Sequence, residues 1–262
     1  MKSALVLLNA LCIFSTQINA ETMDRLNDEF PALYKNNAQL SAQAIITKAW
    51  DKSGGDAWRK ASSLYLTGRA IFYKDGSEII YDNYSMWRVY EDAKPDAHRA
   101  DGRVRIEGKR NSKLVFLNTF DGKTTYDTQG PISDQSANEQ WASNFGFGAI
   151  RNALDPGWQQ KRLPDDLIDG IPSYLVELTD PSGGITRFGI AQKDFNIIYV
   201  GFKTPRGYHE RRYSNFFSKP NQSWLQPARV RLYYDGIKYN EVIWTDFTIN
   251  QQFPEELFKV LK

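Results

Sequence analysis

Two hydrophobic periods follow one another along the chain. Between Ser41 and Trp50 the apolar residues recur at the spacing of one helix face, and the Gly54-Gly55 pair ends that segment. From residue 64 to residue 73 the period changes to two, which is typical of a β-strand. A turn sequence, residues 74–77, follows directly. The pattern therefore predicts an N-terminal helix and then a β-hairpin.

Turn-forming sequences divide most of the remaining chain into segments of about 8 to 14 residues. These sequences are Pro95-Asp96, Asp121-Gly122, Asp169-Gly170, Pro181-Ser182-Gly183-Gly184, Pro205-Arg206-Gly207, Lys219-Pro220-Asn221 and Asp235-Gly236. Their regular spacing predicts an antiparallel meander of about ten or eleven strands.

Two segments depart from this regular spacing. From Gln135 to Leu154 the pattern predicts a helix interrupted at Gly146 and Gly148, and Pro254 predicts the first turn of a short closing helix.

A sheet with so many antiparallel strands cannot stay flat, because its right-handed twist accumulates from strand to strand. It must curl and so form a concave face. Residues 197–202 and 230–234 carry bulky side chains on both faces of their predicted strands. Both faces of the sheet are therefore predicted to be covered, the concave one by helices or by an apolar ligand.

Residues 1–20 have the features of an export signal. Lys2 gives a basic start, an apolar run follows, and Ala20 ends a small-residue cleavage sequence. We expect this signal peptide to be cleaved and residues 21–262 to form a single domain in the periplasm. Cleavage would also remove Cys12, the one cysteine in the sequence, so neither disulfides nor thiol chemistry are expected.

The charge balance and the histidine count narrow the functional classes. The chain has 33 Lys and Arg against 31 Asp and Glu, whereas nucleic-acid-binding proteins usually gather a basic excess on one face. A nucleic-acid partner is therefore not expected. His98 and His209 are the two histidines, and no metal-binding, nucleophile or phosphate-loop motif occurs. We expect no metal, no cofactor and no catalytic group.

Aromatic residues make up 14% of the chain, including 7 Trp. Ligand pockets are mostly apolar and aromatic, with a few polar groups that orient the ligand. The candidates for lining an apolar pocket are Trp87, Trp141, Phe145, Phe147, Phe188, Phe202 and Trp244. The alternative is that these rings fill a solid interior, because small barrels are filled whereas wider or incompletely closed ones hold ligands.

The densest polar cluster lies between residues 204 and 213. In a strand, His209 and Arg211 share one face, whereas Arg212 points to the other. Arg206 and Arg211 are candidates for binding an anion, and His209 is a candidate for proton exchange. A charge-paired strand edge is the alternative interpretation, and the sequence leaves both open.

Several sequence segments occur in an order known from one group of exported proteins. They are Gly-Gly-Asp-Ala-Trp-Arg-Lys (54–60), Ser-Leu-Tyr-Leu-Thr-Gly-Arg-Ala (63–70), Phe-Asp-Gly-Lys-Thr-Thr-Tyr (120–126), Phe-Thr-Ile-Asn (247–250) and Phe-Pro-Glu-Glu-Leu-Phe (253–258). In this arrangement, over most of the mature chain, the sequence resembles the outer-membrane lipoprotein-sorting protein superfamily. The resemblance implies an α+β fold, a strongly curved, incompletely closed antiparallel β-barrel. Helices would cover its concave apolar face, which receives acyl chains.

The resemblance carries over few individual residues. In the periplasmic lipoprotein carriers an Arg-Pro pair on an early strand helps to hold the helical lid shut. The corresponding position here is Lys94-Pro95, so Lys94 is a candidate polar contact, although lysine lacks the planar fork of arginine. Residues 144–151, 163–170 and 201–211 depart from the carriers and resemble a distinct exported branch.

Together these observations predict a non-catalytic periplasmic protein that binds or transfers a lipid or the acyl chain of a lipoprotein. The expected partners are a lipid or an acylated lipoprotein, with an envelope membrane protein as a further candidate. Two alternatives stay open. One is a cofactor-free enzyme that uses His209 and the neighbouring arginines. The other is an envelope module that binds another protein along its edge strands.

Overall fold

The computed structural model describes residues 40–91 and 93–260. The predicted signal peptide and the residues that follow it up to position 39 lie outside the described residues, as do positions 92, 261 and 262. The helices are α1 (Ala42–Ser53), α2 (Asp56–Arg59) and α3 (Gln135–Ala142), with 3-10 helices at Gly146–Asn152 and Glu255–Phe258. The strands are β1 (Ser63–Lys74), β2 (Ser77–Tyr90), β3 (Gly102–Arg110), β4 (Lys113–Phe120), β5 (Thr125–Asp127), β6 (Gly130–Pro131), β7 (Gln159–Ile168), β8 (Ile171–Thr179), β9 (Ile185–Ala191), β10 (Ile197–Thr204), β11 (Gly207–Phe217), β12 (Gln226–Tyr234) and β13 (Ile237–Ile249).

The predicted N-terminal helix is confirmed in the described residues, and both of its ends have a physical cause. The Ser41 side chain accepts a hydrogen bond from the Ala44 backbone N–H at 3.2 Å, which is an N-cap. At the other end Gly54 has a φ of 128° and donates to the carbonyls of Trp50 and Asp51. A side chain at Gly54 would also meet the Ser223 carbonyl at 2.8 Å. Glycine at this position therefore ends the helix and leaves room for the segment after β11 to pack closely against it.

In the described residues the strands form one antiparallel sheet in the order β6-β5-β4-β3-β2-β1-β13-β12-β11-β10-β9-β8-β7. Strand β1 pairs with β13 and so joins the first half of the chain to its last strand. Strands β6 and β7 stand at the two ends, so the sheet is not closed. The predicted antiparallel, incompletely closed architecture is confirmed. The predicted number of strands is too low, because β5 and β6 have 3 and 2 residues and are too short to show a period.

Three of the predicted turns have backbone angles that explain their Asp-Gly sequences. Asp75-Gly76, Asp169-Gly170 and Asp235-Gly236 each have positive φ at both positions, at 51° and 74°, 51° and 78°, and 49° and 77°. Two-residue hairpins of this kind match the right-handed twist of the strands and select Asp-Gly. These turns join β1 to β2, β7 to β8, and β12 to β13.

The predicted mid-chain helix is two elements rather than one. Helix α3 begins after Asp134, whose carboxylate accepts hydrogen bonds from Ser136 and Ala137 backbone N–H groups at 2.8 and 3.1 Å. It ends at Ala142, and a 3-10 helix follows from Gly146. The closing segment is likewise a 3-10 helix rather than an α-helix, and its Phe258 is fully buried.

Helix α1 packs its apolar face onto strands β8, β9 and β10, and Trp50 donates a hydrogen bond from Nε1 to the Ile150 carbonyl at 2.7 Å. We call this cluster the solid core. Its buried members are Ala42, Ile45, Ile46, Ala49, Trp50, Ala149, Ile150, Ala153, Tyr174, Val176, Leu178, Phe188, Ile190, Val200 and Phe202. Within the described ranges no helix combines the length and the apolar character needed to cross a membrane.

Candidate functional site

A cavity of about 330 Å³ lies against the sheet. Most of its lining comes from β1–β4 and β11–β13, and from α3 and the 3-10 helix that follows it, with further contributions from Ser53, Trp58 and Ile197. The apolar lining residues include Leu64, Leu66, Phe72, Met86, Ile106, Phe116, Val230, Leu232, Val242 and Trp244. This volume lies at the lower end of the range of about 300–1,000 Å³ seen for small-molecule pockets.

The cavity shows that the sheet curls. Phe116 of β4 and Arg211 of β11 both line it, although their strands are six positions apart in the sheet. In a flat sheet with about 4.8 Å between strands, six positions would span roughly 29 Å. The two residues can border one cavity only if the strands between them bend around it.

Four arginines line the cavity: Arg88, Arg151, Arg206 and Arg211. No Asp, Glu, Lys or His is among the described residues that line it. The guanidinium groups lie against aromatic rings. Arg151 is 4.4 Å from the Tyr90 ring centroid and Arg206 is 3.9 Å from that of Tyr239, distances at which the ring face attracts a cation.

Arg88 is the most deeply buried of the four, with 2% of its surface exposed. It follows Met86 on the inner face of β2 and forms an ion pair with Asp101 through Nη2. Its Nε and Nη1 atoms have no hydrogen-bond partner among the described residues. A buried donor without a partner costs free energy, so Arg88 has two donors still to be satisfied.

Arg211 and His209 lie next to one another on the inner face of β11. Arg211 donates a hydrogen bond from Nε to Nε2 of His209 at 2.9 Å, and the His209 ring stacks on Phe202 with a centroid distance of 4.6 Å. Burial, and then the charge of Arg211, hold the pKa of His209 well below its ordinary value, so the ring is neutral. His209 is fully buried behind Arg211 and is not part of the cavity lining.

Arg212 points to the opposite face of β11, as the alternation predicts, and has a different environment. It forms an ion pair with Asp169 at 2.7 Å, and Asp169 also pairs with Arg231. The alternative interpretation of this segment, a charge-paired strand edge, therefore applies to Arg212. It does not apply to Arg211, because the Arg211 guanidinium has no carboxylate partner among the described residues.

The structure separates the predicted aromatic candidates into three groups. Trp141, Phe147 and Trp244 line the cavity. Phe145, Phe188 and Phe202 are buried among other side chains, Phe145 against Trp141 and the other two in the solid core. Trp87 stacks on Tyr65 at 4.9 Å and is not part of the lining, since it alternates with the inward-facing Met86 and Arg88.

The predicted polar candidates also separate. Arg206 and Arg211 line the cavity, whereas Lys94 is exposed and lies outside the lining. Arg88 and Arg151 also line the cavity but were not among the candidates predicted from the sequence. Arg88 had a usable signal, because it continues the inner face of β2 after Tyr84 and Met86, where an apolar residue would be expected. Arg151 lies on a 3-10 helix whose orientation the sequence does not indicate.

The described residues contain no cluster of three or more His, Cys, Asp or Glu that could hold a metal ion. The charged groups of the lining are arginines, whereas its amide side chains offer both donors and acceptors. These amides are Asn118, Asn144, Asn196, Gln226 and Asn240. Asn144 donates from Nδ2 to the Tyr234 hydroxyl at 2.7 Å, and its buried Oδ1 has no described partner.

Comparison with known proteins gives a likeness in fold. No family model and no curated protein matches the sequence. A structure from Vibrio parahaemolyticus, described as an outer membrane lipoprotein-sorting protein domain, matches with a TM-score of 0.52, 12% identity, 83% coverage of this chain and 97% of that chain. A LolA superfamily protein from Nitrosomonas europaea matches with a TM-score of 0.51, 15% identity, and coverages of 84% and 98%.

The fold resembles that of lipoprotein-sorting proteins. The predicted resemblance is thereby confirmed for the backbone arrangement over most of the chain. At 12% and 15% identity the likeness extends to the fold alone, so the cavity has to be interpreted from the chemistry of its own side chains.

Proposed function

We propose that this protein is a non-catalytic periplasmic binding or transfer protein that holds a lipid, or the acyl chain of a lipoprotein, in the cavity. The observation that supports this most directly is the space of about 330 Å³ left between the apolar side chains of β1–β4 and β11–β13. Each methylene that leaves water for such an environment contributes roughly 0.8 kcal/mol. A hydrocarbon chain can therefore bind without covalent chemistry.

Three further points support the proposal. The Vibrio structure, which is described as a lipoprotein-sorting domain, shares the fold. The predicted export signal would bring the chain to the compartment where such ligands occur. Trp141 and Phe147, from α3 and the following 3-10 helix, line the cavity together with residues of the strands. We infer that these helices form the cover of the concave face, and that an envelope membrane protein delivers or receives the ligand.

The first experiment is to look for a ligand in the protein as isolated. The full chain purified from a bacterial host should release lipid on denaturation, detectable by mass spectrometry, and should bind a fluorescent fatty acid that unlabelled lipid displaces. A protein that releases no lipid and neither binds nor exchanges the fluorescent fatty acid would rule the proposal out.

A matched pair of variants on β2 locates the binding. Met86→Trp places a large ring in the cavity, whereas Ile80→Trp adds a similar ring at a position that is 45% exposed outside it. We expect Met86→Trp to weaken binding of the fluorescent fatty acid by about tenfold or more, which corresponds to about 1.4 kcal/mol. Ile80→Trp should bind like the wild type. Equal binding by both variants would place the ligand elsewhere.

A further inference from the structure

The arginines and aromatic rings of the cavity alternate in a continuous row. Arg151 and Arg88 both lie near the Tyr90 ring, at 4.4 and 4.8 Å from its centroid. Arg88 and Arg211 both lie near the Phe147 ring, at 5.3 and 3.7 Å from its centroid. Neighbouring guanidinium groups thus share a ring, and the positive charges are concentrated in one place.

The row continues to the cavity mouth. Arg206 is exposed and lies 4.4 Å from the Tyr234 ring centroid, and that ring packs edge-on against His209 at 5.3 Å. His209 in turn accepts the hydrogen bond from Arg211. Because His209 is neutral, it adds no positive charge to that of the arginines, and its ring nitrogen can accept their hydrogen bonds.

This concentration of charge is not balanced by described carboxylates. Arg88 pairs with Asp101, but no ion pair links Arg151, Arg206 or Arg211 to a carboxylate of the described residues. Like charges that share a desolvated site disfavour one another, and burial lowers the pKa of Arg211. The site would therefore be stabilised by an anion.

Arginines outside the cavity show that this imbalance is local. Arg212 pairs with Asp169 at 2.7 Å, Arg187 with Glu177 at 2.9 Å and Arg229 with Glu241 at 2.8 Å. The chain thus provides carboxylates for these arginines. Arg69 and Arg110 also form no ion pair with a described carboxylate, but both are exposed on the surface. Arg151 and Arg211 are instead partly buried in the cavity lining without a carboxylate partner, and Arg88 beside them keeps two donors without a described partner.

We propose that the cavity selects an amphiphile with one acidic head group, a carboxylate or a phosphate, whose anion lies between Arg88 and Arg211 beside Phe147. This inference rests on the proposed function and specifies its ligand class. The planar guanidinium fork matches the oxygens of both anions. The hydrocarbon of the same ligand would lie against the apolar strands, where Leu66, Phe72 and Trp244 line the cavity.

The test is a competition assay on the full chain with a bound uncharged fluorescent probe. Palmitate and lysophosphatidate represent the two acidic head groups, and hexadecanol and monopalmitin are the uncharged counterparts. We expect at least one acid to displace the probe at a concentration roughly tenfold or more below that of its uncharged counterpart, as charge-assisted hydrogen bonds to a desolvated site require. Which acid is preferred identifies the source of the anion.

Neighbouring residues of β11 provide the matched variants. Arg211→Gln should reduce the preference for the acid to near that for the alcohol, whereas Arg212→Gln, on the opposite face, should keep it. If Arg211→Gln does not fold, Arg151→Gln gives the same comparison with an expected partial loss. A preference for acid that survives in all cavity variants would overturn the assignment to these arginines.

Two outcomes separate this inference from the proposed function. If acids and alcohols displace the probe equally well from the wild type, the acidic selectivity is wrong and lipid binding stands. If the probe and all four lipids fail to bind, the proposed function itself is wrong and the inference falls with it.

Discussion

Beneath helix α1 the inner side chains of β8 and β9 are in full contact with their neighbours, whereas those of β1 and β4 border open space. Phe188 is 1% exposed within the solid core. Phe72 and Phe116 are only partly buried, since one side of each ring faces the cavity. The two regions belong to one sheet and both carry phenylalanine rings on its inner face, so the presence of such rings does not distinguish them.

The difference arises from what lies above the strands. Helix α1 supplies Ile45, Ile46 and Ala49, whose branched and small side chains fill the space above β8–β10. Around the cavity, Trp141 of α3 and Arg151 of the following 3-10 helix are among the lining residues instead. The same 3-10 helix also supplies Ala149 and Ile150 to the solid core. The two regions thus differ in the side chains that pack against the strands: branched and small ones in the solid core, large rings and arginines around the cavity.

The largest expected effect comes from removing a ring in each region. Phe188→Ala should cost about 3–5 kcal/mol of the free energy of unfolding, because it leaves a void in a close-packed core. Phe72→Ala should cost roughly half as much, because its ring already borders empty space and the deletion only enlarges the cavity. Urea unfolding of both variants measures the difference. Equal losses would show that the cavity is filled as tightly as the solid core.

A second comparison concerns the carboxylates that pair with arginines. Asp101→Asn should cost about 3 kcal/mol, because it leaves Arg88 charged and buried without its counter-ion. Asp169→Asn should cost about 1 kcal/mol or less, because its partners Arg212 and Arg231 are both partly exposed to solvent. Thermal unfolding at low salt measures both. A larger loss of stability for Asp169→Asn than for Asp101→Asn would contradict the conclusion that uncompensated positive charge is concentrated at the cavity.

The comparison of the two regions also shows which parts of the fold and of the cavity could be predicted from the sequence. Helix α1, the hairpin turns and the antiparallel meander follow from local signals: a serine cap, Asp-Gly pairs and a period of two. The inner face of β11 was predictable by alternation. What the sequence could not indicate is whether an inward-facing ring meets another side chain or empty space. Phe188 and Phe72 both lie on strands with apolar inner faces, and only the elements packed above them separate the two.

The arginines show the same limit of prediction from sequence for polar side chains. Arg211 and Arg212 are adjacent and chemically identical, yet Asp169, which pairs with Arg212, is 43 positions away in sequence. Pairing at such a separation depends on the register of distant strands. The sequence therefore identified Arg206 and Arg211 as candidates but left open whether they were paired, and it missed Arg88 because its role depends on which face of β2 borders the cavity.

The pH dependence of the free energy of unfolding should show whether the buried His209, behind the cavity, is neutral in the folded protein. Burial, and then Arg211, keep the pKa of His209 well below 6.5. As pH falls below about 6.5, the unfolded chain binds a proton that the folded chain does not, so stability is lost, by at most about 1.4 kcal/mol per pH unit. His209→Gln should reduce this slope between pH 6.5 and about 5, above the range where carboxylates titrate.

Burial also lowers the pKa of His98, so that a smaller slope should remain in the His209→Gln variant. The measurement is urea unfolding of the wild type and the variant at several pH values. An unchanged slope in the variant would mean that His209 binds its proton over the same pH range in the folded and the unfolded chain. The cavity would then gain a positive charge at low pH that we do not infer.

The smallest expected difference concerns the helix caps of the two regions. Ser41→Ala removes the cap of α1, which belongs to the solid core, and should lower the global free energy of unfolding by about 1 kcal/mol. Asp134→Ala removes two hydrogen bonds at the start of α3, in which Ala142 is the one fully buried residue. Helix α3 should therefore unravel locally, with faster amide hydrogen exchange in residues 135–142 and a global loss of only a few tenths of a kcal/mol. If Asp134→Ala instead lowered global stability as much as Ser41→Ala does, α3 would be part of the same cooperative unit as α1, and its lining residue Trp141 would be held as firmly as the solid core.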